Sequence, residues 1–276
     1  MTYENPDVPH EVNVSREGAV AEFLRLLAGI GIVVLVLSVL LYISGAWLAR
    51  QLPVSMEHAW VGDEVLGLPV QQADTRRAEA IEVQLQQLAD ALAQHVPLPD
   101  GMDVTVHYTE SDVPNAFATL GGHVVVTSAL YERLPSENAL ALVLAHELAH
   151  LAARDPIAAV GGGLTLALAS MTLTGDASAV FAPLTAVVQR GYSRDAERAA
   201  DDLAIAAIRA HYGHAGGGAA LFEVLAAARA DAAIDMPSML STHPADAERI
   251  ERVRAAARGW DPRTQPLRAI TRPPST

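Results

Sequence analysis

Residues 135–150 read PSENALALVLAHELAH, and the last five of them, HELAH, decide how the rest of the chain is read. At 3.6 residues per turn, His146 and His150 stack on one face of a helix, so both imidazoles can reach one metal ion. Glu147 then points close to the fourth coordination position. There a carboxylate can take a proton from a water whose pKa a zinc ion has lowered. The chemistry requires a helix, and the preceding residues supply one. Ser136 after Pro135 is a good N-cap, and Glu137 suits the first turn. Ala139, Leu140, Leu142, Val143 and Leu144 lead into the motif as a mostly buried helix.

A hydrolytic zinc site takes a third protein ligand and keeps one position open. The best candidate lies in GYSRDAERAADDLAIAA, residues 191–207, where Ser193 can cap a helix carrying Glu197 and Asp201 four apart on one face. Glu197 would bind the ion, and Asp201 would orient a ligand histidine through its free ring nitrogen. The same stretch also reads as a solvated helix in which Arg194 and Arg198 pair with Asp195 and Asp202. Upstream, Val104 and Val106, then Val124–Val126, read as strands with Gly121 and Gly122 as a turn, so a small sheet precedes the helix. By themselves Asn115 reads as a turn residue, and His243 before Pro244 as a cap for a helix running to about Arg258.

Four motifs occur in order between about residues 76 and 258: NAFATLGGHVVVTSAL from Asn115, HELAH, the Glu197 and Asp201 pair, and STHPADAERI from Ser241. Together they resemble the gluzincin metallopeptidases that include HtpX, the CAAX prenyl proteases and the mitochondrial Oma-type proteases. The resemblance implies a zinc metallopeptidase domain of α+β class, predominantly helical, with a small sheet lining the cleft. It also implies one zinc ion held by His146, His150 and Glu197, with Glu147 as general base and His243 stabilising the oxyanion. Asn115, Gly121 and Gly122 match positions near the substrate. Gly121–Thr127 matches an edge strand on which substrate backbone can lie by strand addition, and Arg249 is expected to support the substrate region. The chain departs from the family pattern at Leu120, where a proline often precedes the paired glycines, and at Asp155, where a histidine is often found.

Leu26–Leu48 is a run of 23 residues without charge, bounded by Arg25 and Arg50, and long enough to cross a bilayer. Residues 1–25 are polar and acidic and read as a flexible tail, 49–75 as a linker, 76–258 as the peptidase domain and 259–276 as a loose basic tail. Arg16 and Arg25 precede the span and Arg50 alone follows it closely, which leans toward a single-pass anchor with the catalytic domain on the far side. In a bacterium that side is the periplasm, with the anchor in the inner membrane.

A second uncharged stretch, Ile157–Gly175, follows HELAH. A single crossing there would part Glu197 from His146, so the three ligands permit only zero or two crossings. The return stretch Ala177–Gln189 is short and contains Pro183, which favours a buried or membrane-apposed helical pair beside the active site, with glycines 161–163 allowing close contact. Thr75–Ala93 has Ala78, Ile81, Leu85, Leu88 and Leu92 on one face, as an amphipathic helix backing the core would.

Net charge of −13 gives no reason to expect nucleic-acid binding, and zero cysteines exclude a disulfide framework or thiolate metal site. The expected partners are polypeptides, unfolded or membrane-associated, and the lipid bilayer. The expected role is protein quality control by a membrane-anchored zinc endopeptidase. The competing class is a non-catalytic metal-stabilised membrane adaptor or holdase, against which the carboxylate of Glu147 argues.

Overall fold

The computed structural model describes residues 18–61, 76–175, 192–231, 243 and 247–274. Helix α1 (Ala19–Ala49) is followed by the short α2 (Val54–Val61) and by α3 (Arg76–Ala93). Three strands come next, β1 (Thr105–Thr109), β2 (Ala116–Ala118) and β3 (His123–Thr127), then α4 (Ser128–Arg133) and α5 (Glu137–Ala152). Helices α6 (Asp155–Thr174), α7 (Arg194–Tyr212), α8 (Ala220–Asp231) and α9 (Ala247–Ala256) complete the order among the described residues. The result is an α+β domain, mostly helical with one small sheet among the described residues, as the family resemblance implies.

Local sequence explains the two helices that matter most. Ser136 accepts the Ala139 N–H at 3.2 Å, and Ser193 accepts the Ala196 N–H at 3.2 Å, so both expected caps satisfy amides that a helix start leaves open. Arg154, with φ 55°, breaks the chain between α5 and α6. Helix α5 runs through the middle of the core, buried continuously from Asn138 to Leu151, with α3, α7, α8 and the sheet packed around it. Helix α3 buries the five apolar residues that the sequence puts on one face.

The sheet order is β1-β3-β2, with β1 parallel and β2 antiparallel to β3. This corrects the expectation that Gly121–Thr127 is an edge. Strand β3 is central, paired to β1 from His123 to Thr127 and to β2 from Val124 to Val126, so no backbone edge is left there for a substrate. The edge beside α5 is β2, which the sequence does not announce because it is only three residues long. The glycine pair forms a turn, Leu120–Gly122, under α2: Gly121 donates its N–H to Glu57 at 3.2 Å, and Arg154 closes on the other oxygen of Glu57. Part of the expected linker is therefore packed on the domain, while residues 62–75 lie outside those described.

Helix α1 begins seven residues before the predicted span, inside the expected flexible tail, of which residues 1–17 lie outside those described. Its large apolar side chains are exposed along most of its length, and both it and α6 are long and apolar enough to cross a membrane. Helix α6 runs back along α1, and small residues set the crossing. A Cβ on Gly162 would lie 2.6 Å from the Tyr42 ring, and one on Gly45 would lie 2.6 Å from Gly161 O. Gly161 and Gly162 thus make their close contact with α1, not with the partner helix expected from the sequence. The stretch Ala177–Gln189 lies outside the described residues.

The C-terminal segment is not loose. The Glu137 N–H donates to Arg268 O at 2.9 Å, the Arg268 N–H to Asn138 Oδ1 at 2.9 Å, and Arg272 Nη2 to Leu134 O at 2.7 Å. Ile270 is buried against the core. Its burial is worth about 1.5–3 kcal/mol. Truncation after Arg258 is expected to destabilise the protein by about 2–4 kcal/mol, or roughly 4–15 °C in Tm. A thermal melt of the truncated protein that matches full length would restore the loose-tail reading.

Candidate metal centre and active site

Burial of α5 leaves the ring nitrogens of His146 and His150 to find their partners inside the protein. Their Nε2 atoms stand 3.1 Å apart. From α7, Glu197 brings Oε2 to 3.4 Å from His146 Nε2 and Oε1 to 3.5 Å from His150 Nε2. His243 adds Nδ1, 3.2 Å from His146 Nε2 and 2.9 Å from Glu197 Oε1. One donor atom from each of these four buried residues lies within 4.8 Å of the others.

The donor set fits zinc. Bonds of about 2.0–2.2 Å in a tetrahedral shell space the ligand atoms by about 3.3–3.6 Å, close to the separations found here, and imidazole with carboxylate is a usual zinc environment. Beside the cluster, Glu147 is fully buried. Its Oε2 accepts the Ala118 N–H at 2.8 Å, whereas Oε1 has no hydrogen-bond partner and lies 3.6 Å from His243 Nε2. A buried carboxylate oxygen without a donor is costly, and a water held at the site would satisfy it.

Each histidine of α5 is held from its far side. His146 Nδ1 is 3.1 Å from Asp201 Oδ1, and Asp201 accepts two bonds from Arg249, from Nε at 2.7 Å and from Nη2 at 2.8 Å. Arg249 Nη1 also stands 2.6 Å from Glu197 Oε2, an ion pair whose angles fall outside hydrogen-bond geometry. His150 Nδ1 is 2.9 Å from Asp155 Oδ2, and its ring stacks on Tyr192 with centroids 4.1 Å apart. Such outer partners fix the tautomer and tilt that metal binding needs.

Residues 76–257, well over half of the chain, match the profile of Peptidase family M48. The chain belongs to peptidase family M48. It is also 35% identical over 164 residues to a Vibrio cholerae protein named "Putative beta-barrel assembly-enhancing protease", an alignment that covers 54% of this chain and 33% of that protein. The chain thus spans about a third of the length of the curated relative it matches. M48 is a family of metallopeptidases, and the His146, His150, Glu197 and His243 cluster in the M48 domain of this chain could bind a metal.

Electrostatics in the M48 domain favour charged carboxylates around the cluster. Burial disfavours the imidazolium of His146, but hydrogen bonds to Asp201 and Glu197 outweigh it and hold the pKa up to about 9, a proton that an incoming metal ion would displace. Burial likewise pushes Glu197 upward, yet bonding to His146, His150 and His243 brings it far below the usual carboxylate range. Asp201 is lowered because Arg249 and His146 outweigh its burial, and Asp155 because His150 and Arg50 do. Burial pushes His243 down.

The structure therefore brings His146, Glu147, His150, Glu197, Asp201 and His243 together. It corrects the place of Arg249, which is buried at 5% exposure and engaged with Asp201 and Glu197, so it braces two carboxylates of the candidate cluster and its surround instead of lying open to substrate. Gly121 lies under α2, bonded to Glu57, and Gly122 packs closely on the backbone of Asp103, just before β1. Asn115 adjoins the edge strand β2, its N–H bonded to Thr127 Oγ1 at 2.8 Å and its buried side-chain Oδ1 without a partner. Two contacts were missed. In the sequence Asp155 stands out only as a departure from the family pattern, although its place five residues past His150 is a usable signal. Tyr192 directly precedes the cap of the Glu197 helix, but nothing local points it at His150. The charged-helix reading of α7 holds in part: Arg198 pairs with Asp195 on its solvent side, whereas Asp202 is taken by Arg252 of α9.

Proposed function

We propose that this chain is a membrane-anchored, zinc-dependent endopeptidase that cuts unfolded or misassembled membrane proteins. The observation that carries the reading is the convergence of His146 and His150 from α5 with Glu197 from α7, beside the unpartnered oxygen of Glu147. A zinc ion bound there would supply Lewis acidity, polarising the scissile carbonyl and acidifying a water.

The chain's own residues do the rest. Ala118 fixes one oxygen of Glu147 through its backbone N–H, which leaves the other free to take the proton from the attacking water and pass it to the leaving amine. The outer edge of β2 offers backbone groups to an extended substrate, with Asn115 at its start. His243 donates to the carbonyl oxygen as negative charge develops there. That role requires that His243 not itself hold the metal, which would rest on His146, His150 and Glu197.

The exposed apolar length of α1 supports the anchor, and the arginine balance around it supports a catalytic domain in the periplasm. The relative's name concerns β-barrel assembly. For this chain we read the substrate class as extended, unpaired segments of such unassembled proteins, which suit strand addition. The test is incubation of purified full-length protein with unfolded casein, with and without a zinc chelator. The expected result is peptide fragments that vanish on chelation and return when zinc is restored. Binding of casein without chelator-sensitive fragments would favour an adaptor or holdase.

A further inference from the structure

Arg50, the first residue beyond α1, reaches toward the metal centre. Its Nη2 donates to Asp155 Oδ1 at 2.8 Å and its Nε to Ala153 O at 3.2 Å. Asp155 is 5% exposed, and its other oxygen lies 2.9 Å from His150 Nδ1. The backbone around Arg50 is gripped in return: Arg154 Nη1 donates to Arg50 O at 2.9 Å and contacts Leu52 O, while Arg154 Nη2 contacts Glu57. The side chain that leaves α1 is thus two hydrogen bonds from the Nε2 donor of His150.

We infer that Arg50 is a positioning residue of the metal centre. Through Asp155 it fixes the tautomer and tilt of His150, so α1 is part of the site's scaffold as well as its tether. The inference rests on the reading that His150 binds zinc. A carboxylate held at both oxygens presents a fixed acceptor to His150 Nδ1–H, whereas one held at a single oxygen can rotate and let the imidazole drift from the direction a metal requires. Loss of an outer partner commonly costs about 10–100-fold in metal affinity. Arg50 acts one bond further out with a 41% exposed side chain, so water replaces part of its role and the low end applies.

The test uses full-length protein in detergent, with zinc affinity measured by chelator competition and site geometry by the visible spectrum of bound Co2+. Arg50→Ala is expected to weaken zinc by about tenfold and to shift the Co2+ bands, with the melting temperature of the metal-free protein unchanged. Arg50→Lys restores part of the affinity, since an ammonium can reach Asp155 but lacks the fork that also holds Ala153 O. Arg258→Ala, an equal change of charge just beyond α9, where the side chain pairs only with Glu251 among the described residues, moves neither readout. Wild-type zinc affinity and Co2+ bands in Arg50→Ala would overturn the inference, as would a loss of affinity matched by unfolding of the metal-free protein. If wild type bound no zinc, the proposed function would fall with it. If His150→Ala abolished zinc binding while Arg50→Ala did not, only the role of Arg50 would fall.

Discussion

Glu147→Gln leaves zinc bound at one ion per chain and lowers peptide hydrolysis by at least about 10²-fold and up to 10⁴-fold, the range for removal of a positioned acid–base group. The substitution is nearly isosteric. Glu147 stands outside the four-residue donor cluster, so metal affinity has no reason to fall. The glutamine carbonyl can still accept the Ala118 N–H that now meets Oε2. What is lost is the second oxygen, replaced by an amide that cannot take a proton. Zinc content and casein cleavage measured on the same preparation separate the two effects. Undiminished cleavage would remove Glu147 from the mechanism, and loss of zinc would mean that it serves the metal instead.

The second large effect is expected at Glu197. Glu197→Ala removes the only carboxylate of the donor cluster, and zinc affinity should fall by more than the roughly 10–100-fold that loss of an outer partner costs. Hydrolysis falls with it. The same change strips Arg249 of a buried anion, so some loss of stability accompanies it, tempered because Asp201 keeps both of its bonds to that guanidinium. Circular dichroism of the metal-free variant distinguishes a lost ligand from a lost fold. Full zinc stoichiometry in a folded Glu197→Ala protein would exclude Glu197 from the shell.

How much of this was legible depended on how local each relation is. His146 with His150, and Glu197 with Asp201, are set by helix periodicity, and Ser136 and Ser193 mark where those helices begin. The buried face of α3 could be read for the same reason. Strand order is a non-local property: nothing in HVVVT says which neighbours it takes, and AFA is too short to stand out, so β3 was placed at an edge that belongs to β2. Two arginine readings fail in the same direction. Arg249, matched to the substrate region, is buried among carboxylates, and the arginine-rich tail, read as loose, is held by Arg272 on the carbonyl of Leu134 and by Ile270 in the core. Arg50 could be read only as the boundary of an apolar run, because its partner Asp155 lies 105 positions away.

The central claim is that α5 and α7 hold one zinc ion between His146, His150 and Glu197. Zinc-edge X-ray absorption on purified full-length protein tests it most directly. The expected result is one zinc per chain with a nitrogen and oxygen shell at about 2.0–2.2 Å and the outer scattering of at least two imidazoles. Absence of stoichiometric zinc, or a shell without imidazole, would contradict it.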